Sequence, residues 1–129
     1  NPLIGHGEIA TLERLKELGD EGRIEKGASR FTQMHNDWAD VLAERGLLGA
    51  LILLGVYFLP MAWFVRFAGS IHLERLGLAT AGITFPLSVL AAGIGQVNFT
   101  HNSGAMMYSF IIAALVGISA QRMSNARTE

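Results

Sequence analysis

The chain has 129 residues, half of them apolar and only 16% charged, with a formal net charge of −1 and no cysteine. A near-neutral chain without a basic stripe lacks the electrostatic footprint of a nucleic-acid binder, and zero cysteine removes disulfide frameworks, thiol catalysis and cysteine-ligated zinc. The average conceals two different polymers: residues 1–46 hold nine of the eleven acids and six of the ten bases, whereas residues 47–121 hold only Arg66, Glu74 and Arg75 as formally charged side chains.

The first residues, Asn1-Pro2-Leu3, carry neither an initiator Met nor a basic-then-apolar signal segment, so the chain is expected to belong to something longer. Glu8 to Leu18 reads as an amphipathic helix with Ile9, Leu12 and Leu15 on one side and Gly19 as its stop, lying at the membrane surface. Gly19-Asp20-Glu21-Gly22 is a turn signal and Gly27-Ala28-Ser29 another, which predicts mostly irregular structure over 19–34. Asn36 is placed to cap a helix that opens with Asp37 and ends or bends near Arg45-Gly46.

Three uncharged segments follow, about 47–65, 76–95 and 103–120, each close to the ~20 residues that a helix needs to cross the hydrocarbon core. A soluble helix normally shows a charged face, and these show none. The spacing therefore predicts an all-α membrane protein: a helical and looped segment over 1–46, a three-span region over 47–121 and a tail over 122–129. Pro60 and Pro86 fall inside spans and must have their freed backbone groups satisfied by neighbours or kinks. Gly46 with Ala50, Gly77 with Ala81, and Ala91 with Gly95 are small residues four apart, a weakly specific pattern for close helix contact. The Arg66–Arg75 connection and the tail each carry two arginines and the 96–103 connection none, so the first two are expected on the cytoplasmic side. Residues 1–46 and 96–103 then share the outer face, which in a bacterial inner membrane is periplasmic.

Two His-Asn pairs converge on that face. His35-Asn36 precedes the first span and His101-Asn102 the third, and histidine is the side chain whose ordinary pKa suits it to take a proton from a hydroxyl near neutral pH. The competing reading is that both are interfacial or helix-capping polar residues. Arg30, five residues before His35, has the guanidinium chemistry that holds two phosphate oxygens at once; a headgroup-contacting base is the plainer alternative, as it is for Arg23, Lys26 and Arg45. Trp38 fits either an apolar lipid contact, together with Phe31, or a membrane-interface anchor. His35 and Asp37 are too few for a metal site, and Gly5-His6-Gly7 lacks the rest of a phosphate-cradling loop.

The run His35-Asn36-Asp37-Trp38-Ala39-Asp40-Val41-Leu42-Ala43-Glu44-Arg45-Gly46-Leu47-Leu48-Gly49 resembles the signature of the O-antigen ligase family of bacterial inner-membrane proteins, in which a His-Asn pair leads into a helix ending in Glu-x-Gly-Leu-x-Gly. The opening Asn1-Pro2-Leu3-Ile4-Gly5-His6-Gly7 also resembles that family's Asn-Pro-x-x-Gly-x-Gly element. The resemblance covers about the first fifty residues by motif and the rest by topology and His101-Asn102. It implies a GT-C-like multi-helix membrane glycosyltransferase, of which this chain is the carboxy-terminal third and inactive alone. Such enzymes move a glycan from undecaprenyl diphosphate to a periplasmic acceptor, a hydroxyl of the lipid A core for the ligase itself, with no nucleotide sugar, cofactor or metal.

The family histidine maps onto His35, the implied general base. Arg30 is an extension beyond the motif, and Asn36, Asp37, Trp38, His101 and Asn102 complete the candidate substrate-binding set. O-antigen polymerases and protein-glycosylating ligases share the same resemblance. From another class, a transporter or non-catalytic assembly subunit would use His35 and His101 only as caps; the lack of ionisable residues in the spans counts against transport.

Overall fold

The computed structural model describes residues 1–25, 27, 36–96, 98–99 and 102–125, and among these it is all-helical. Four helices follow in order: α1 (Glu8–Asp20), α2 (Asp37–Val65), α3 (Leu73–Ala92) and α4 (Asn102–Asn125). The last three are each long and apolar enough to cross a membrane. The chain divides into two compact units, Asn1–Leu54 with Gly93–Val97, and Gly55–Ala92 with Asn98–Glu129.

In the first unit, α1 turns its Leu12, Leu15 and Leu18 inward as half-buried side chains, while Ile9 stays 75% exposed. The helix does not stop at Gly19. It continues to Asp20, and Gly19 is buried within it. The terminator is Gly22, with φ +70, a left-handed conformation that glycine adopts without a Cβ penalty. Gly22 N–H donates to Gly19 O at 3.1 Å and Arg23 N–H to Leu18 O at 2.9 Å, the paired bonds of a Schellman ending. Two glycines three apart both look like stops in sequence, and the backbone hydrogen bonds select the second.

Helix α2 is broken at Gly46, where φ +61 and ψ −158 leave helical space. A short arm, 37–45, precedes the break, and an uncharged run, 47–65, follows it. Helix α3 starts three residues before the expected span and ends three before its expected end, because Glu74 in its first turn complements the helix dipole and Gly93–Gly95 form a turn. Helix α4 runs on past Ala120 to Asn125, with Arg122 in its last turn.

In the second unit α3 packs against α4. Phe64, Phe67 and Ala79 form the core there, flanked by Trp63, Ile83, Leu115, Val116 and Met123. Gly82 lies directly against the Phe64 ring, so a Cβ at that position would enter the aromatic carbons. This close approach is where α3 needs a glycine; Gly77 and Gly95, singled out by spacing, have no neighbour within 4 Å of a Cβ position. Buried Ser119 accepts from Trp63 Nε1 at 3.0 Å and donates to Val116 O at 2.8 Å, so its hydroxyl is satisfied in both roles. At the arginine-bearing end, the Arg66 guanidinium stacks over the Trp63 ring, and Arg122 pairs with Glu74.

Candidate functional site

The entrance to α2 is built by Asn36. Its Oδ1 accepts from Trp38 N–H at 2.9 Å and Ala39 N–H at 3.0 Å, satisfying two of the donors that a helix N-terminus leaves without intrahelical partners. Its Nδ2 donates to Ile94 O at 2.9 Å, and Asp37 N–H donates to Gly93 O at 3.0 Å. The cap therefore also ties the entrance to the turn that leaves α3. Asp37 and Asp40 are 1% and 5% exposed and lie one turn apart, where the positive end of the helix dipole favours negative charge. Trp38 is half-buried between them in sequence.

Nine residues further on, the break at Gly46 is held by residues 1–7. Two carbonyls at the end of the arm accept from the loop: Ala43 O from His6 N–H at 3.0 Å, and Glu44 O from Gly7 N–H at 2.9 Å. The first two donors of the following run go the other way, Leu47 N–H to Pro2 O and Leu48 N–H to Leu3 O, both at 3.0 Å. A broken helix exposes unpartnered carbonyls on one side and unpartnered amides on the other, and a single loop meets both sets. The fit depends on glycine. Gly5 (φ +72) and Gly46 both adopt left-handed backbone, and a Cβ on either would collide with main-chain atoms of the other strand of the contact, Glu44 and Arg45 in one case and Leu3 and Gly5 in the other. Gly49 has the Arg45 and Val41 side chains where its Cβ would be.

Beside this contact, α1 and the arm border an open groove of about 450 Å³ lined by His6, Thr11, Arg14, Glu17, Leu18 and Ala43 among others. Arg14 is engaged by Glu17 at 2.7 Å and lies 3.8 Å from Glu21, so the groove offers little uncompensated positive charge. Glu44 has its carboxyl pushed above the usual carboxylate range, first by burial and then by repulsion from Asp40 and Glu8, with Arg45 acting the other way.

In the second unit, Tyr57, Phe85, Phe99 and Tyr108 pack ring to ring with centroids 5.3–5.9 Å apart. Tyr108 also donates its hydroxyl to Val56 O at 2.8 Å. Val56 is four residues before Pro60, so its carbonyl is the one left without a donor by the proline. Spacing located the proline; nothing in sequence named the tyrosine that compensates it.

Of the residues expected at the site, Asn36, Asp37 and Trp38 are gathered at the α2 entrance, and Asn102 opens α4 as an exposed residue of the second unit. Arg30, His35 and His101 lie outside the described residues, as does Phe31. Gly5, Gly46 and the buried Asp40 were not in the expected set. The signal for Asp40 was its position three residues after Asp37, which puts both carboxylates on one helix face. Among the described residues, no group of three His, Asp or Glu side chains is arranged to hold a metal ion.

The chain is 25% identical over 107 residues to an uncharacterized protein of Haemophilus influenzae, an alignment covering 83% of this chain and 27% of that relative. The chain thus matches little more than a quarter of the relative's length. No family model matches the chain, and no solved structure matches it.

Proposed function

We propose that this chain supplies the carboxy-terminal part of an inverting, metal-independent O-antigen ligase with a GT-C-like fold. In this reading it transfers a glycan from undecaprenyl diphosphate to a hydroxyl of the lipid A core. The observation that carries the reading is the union of two motifs: Asn-Pro-x-x-Gly-x-Gly and Glu-x-Gly-Leu-x-Gly, almost forty residues apart, meet at Gly46 through three backbone hydrogen bonds, with a fourth to the adjoining Ala43. These are the two elements on which the family resemblance rests, and each contributes one glycine, Gly5 or Gly46, at which a Cβ would collide with the other element. In this reading the arginines of the 66–75 connection and the tail mark the cytoplasmic side, and residues 1–46 and the 96–103 connection face the periplasm of a bacterial inner membrane.

In the proposed reaction, the acceptor hydroxyl oxygen attacks the anomeric carbon from the face opposite the diphosphate. The new glycosidic C–O bond forms as the bond to the diphosphate oxygen breaks, inverting the anomeric centre. His35 takes the hydroxyl proton, and the bonding electrons leave with the diphosphate, whose charge Arg30 and bases elsewhere in the protein compensate. Asn36, the residue that follows His35, is fixed by its cap on α2 and its bond to Ile94 O, and Asp37 after it is buried. Trp38 supplies an apolar contact to the carrier lipid.

The test is coupling of purified undecaprenyl-diphosphate glycan to lipid A core by the full-length protein, wild type against His35→Ala, read on a gel without added metal. Wild-type transfer with a ~10²–10⁴-fold loss in a folded variant supports the ligase and the base. Full activity of the variant removes His35 from the chemistry. No transfer to this acceptor, with donor binding intact, moves the assignment to a polymerase or a protein-glycosylating relative, for which a glycan or a protein hydroxyl replaces the core sugar in the same assay.

A further inference from the structure

The turn Pro2–Ile4 carries two of the most exposed aliphatic side chains of the first unit, Leu3 and Ile4, each 62% exposed. They are not isolated. Together with Leu47, Leu48 and Leu51, which are 49%, 56% and 56% exposed, they line one open groove whose five lining residues are all Leu or Ile. Two of the five residues therefore come from a loop that precedes α1, and three from the start of the uncharged run of α2.

The depth of that surface follows from length and charge. Arg45 is the last formally charged residue before Arg66. The intervening helix, Leu47–Val65, rises about 28 Å at ~1.5 Å per residue, which is close to the ~30 Å of a hydrocarbon core. No residue can be spared from the span, so Leu47 stands at the hydrocarbon boundary. Pro2 O and Leu3 O are bonded to Leu47 N–H and Leu48 N–H at 3.0 Å, which sets the loop at that same level.

Lipid-exposed non-helical backbone does not occur within the hydrocarbon region, so the main chain of the loop stands at the boundary, where headgroups and water meet the polar groups that the chain does not, and only its side chains dip below. Pro2 has no N–H, Leu3 N–H donates to Asn1 Oδ1 at 3.1 Å, and Gly5 N–H donates to Asn1 O at 2.8 Å. Asp37, Asp40, Glu44 and Arg45 all lie on the arm side of Gly46, so polar and apolar surfaces part at the break.

We infer that Leu3 and Ile4 form a lipid-facing anchor that inserts at the outer edge of the hydrocarbon core beside Leu47, Leu48 and Leu51. The occupant of the groove is acyl chain. The anchor fixes the level at which α2 leaves the bilayer, and it is independent of the reaction the protein carries out.

The test is site-directed spin labelling of the full-length protein in liposomes. This chain contributes no cysteine, so Leu3→Cys and Ile4→Cys are labelled uniquely once any cysteines elsewhere in the protein are replaced. Leu48→Cys probes the other wall of the groove, and Glu13→Cys on exposed α1 serves as the aqueous reference. Power saturation is expected to show labels at Leu3, Ile4 and Leu48 reached by dissolved oxygen and shielded from a water-soluble nickel chelate. Their oxygen-to-nickel accessibility ratio should be several-fold above that at Glu13. Nickel access at Leu3 and Ile4 equal to that at Glu13 overturns the anchor in favour of a water-exposed loop. Exclusion of both reagents overturns it in favour of a covering protein helix. Should either loop variant fail to incorporate, the remaining loop label and Leu48→Cys give the same discrimination.

Discussion

Helix α2 is interrupted twice, and the two interruptions are repaired by different means. At Gly46 the backbone leaves helical space altogether, so carbonyls before the break and amides after it lose their partners together. A seven-residue loop meets them with its own main chain, two donors and two acceptors. At Pro60 the helix continues and a single carbonyl, Val56 O, is left without its donor; one side-chain hydroxyl from α4 supplies it. A break that orphans both polarities calls for backbone, which carries both. A break that orphans one acceptor is mended by one tyrosine. The first repair sits where the charged arm of α2 meets its uncharged run, and the second lies within that run.

Gly46→Ala should have the largest effect. Its φ and ψ belong to a region populated almost only by glycine, which alone costs about 1–3 kcal/mol for another residue. The added Cβ would also collide with the main chain of Leu3 and Gly5. Gly7 sharpens the comparison because it has a similar backbone, φ +81 and ψ +161, with nothing within 4 Å of a Cβ position. Gly7→Ala is therefore expected to lose only the conformational part. Unfolding of the two variants in detergent measures the difference, and equal losses would refute the claim that the loop is closely fitted to the break.

Asn36→Ala comes next, at about 2 kcal/mol, since it removes a helix cap and the bond to Ile94 O together. Asn36→Asp keeps the capping oxygen and loses only the donor, so it should recover roughly half of the loss in the same measurement. Recovery of all of it by Asp would mean that the tie to the α3 turn contributes nothing.

Tyr108→Phe should cost about 1 kcal/mol, within the range found for hydrogen bonds between membrane helices. Its diagnostic property is coupling. Pro60→Ala returns a backbone N–H to Val56 O, so in that background Tyr108→Phe should cost much less. Additive losses in the four-variant cycle would show that the tyrosine is not compensating the proline.

These effects also mark what was legible beforehand. The spans were readable because an uncharged run of sufficient length has few alternatives, and the bend near Arg45-Gly46 was readable because a glycine follows the last charge of a capped helix. The end of α1 was misplaced from Gly22 to Gly19 since both glycines fit a stop, and only backbone bonding distinguishes them. Small-residue spacing picked Gly46 along with Gly77 and Gly95, of which only Gly46 is under steric demand; Gly5, Gly49, Gly82 and Gly104, which are under it too, are defined by a partner distant in sequence or by a neighbouring turn. Asn36 was legible as a cap because capping is local; its bond to Ile94, 58 residues away, was not. The chemistry expected of Arg30, His35 and His101 rests on sequence, as these lie outside the described residues.

The smallest effect expected is at Glu44, on the polar side of the Gly46 break. Burial, followed by repulsion from Asp40 and Glu8, raises its carboxyl above the ordinary value. The folded state therefore holds the proton to higher pH than the unfolded chain does. By linkage, stability falls as pH rises from the ordinary carboxylate pKa of about 4.5 through the raised folded value, and the deficit persists above it. Glu44→Gln removes the titration while keeping the backbone carbonyl that accepts from Gly7 N–H. It should leave stability unchanged at pH 4 and produce a small gain at pH 7, reduced by solvent screening because the side chain is only partly buried. A loss at pH 7 would mean that the carboxylate makes a favourable contact at the break, and the repair there would then depend on a side chain as the one at Pro60 does.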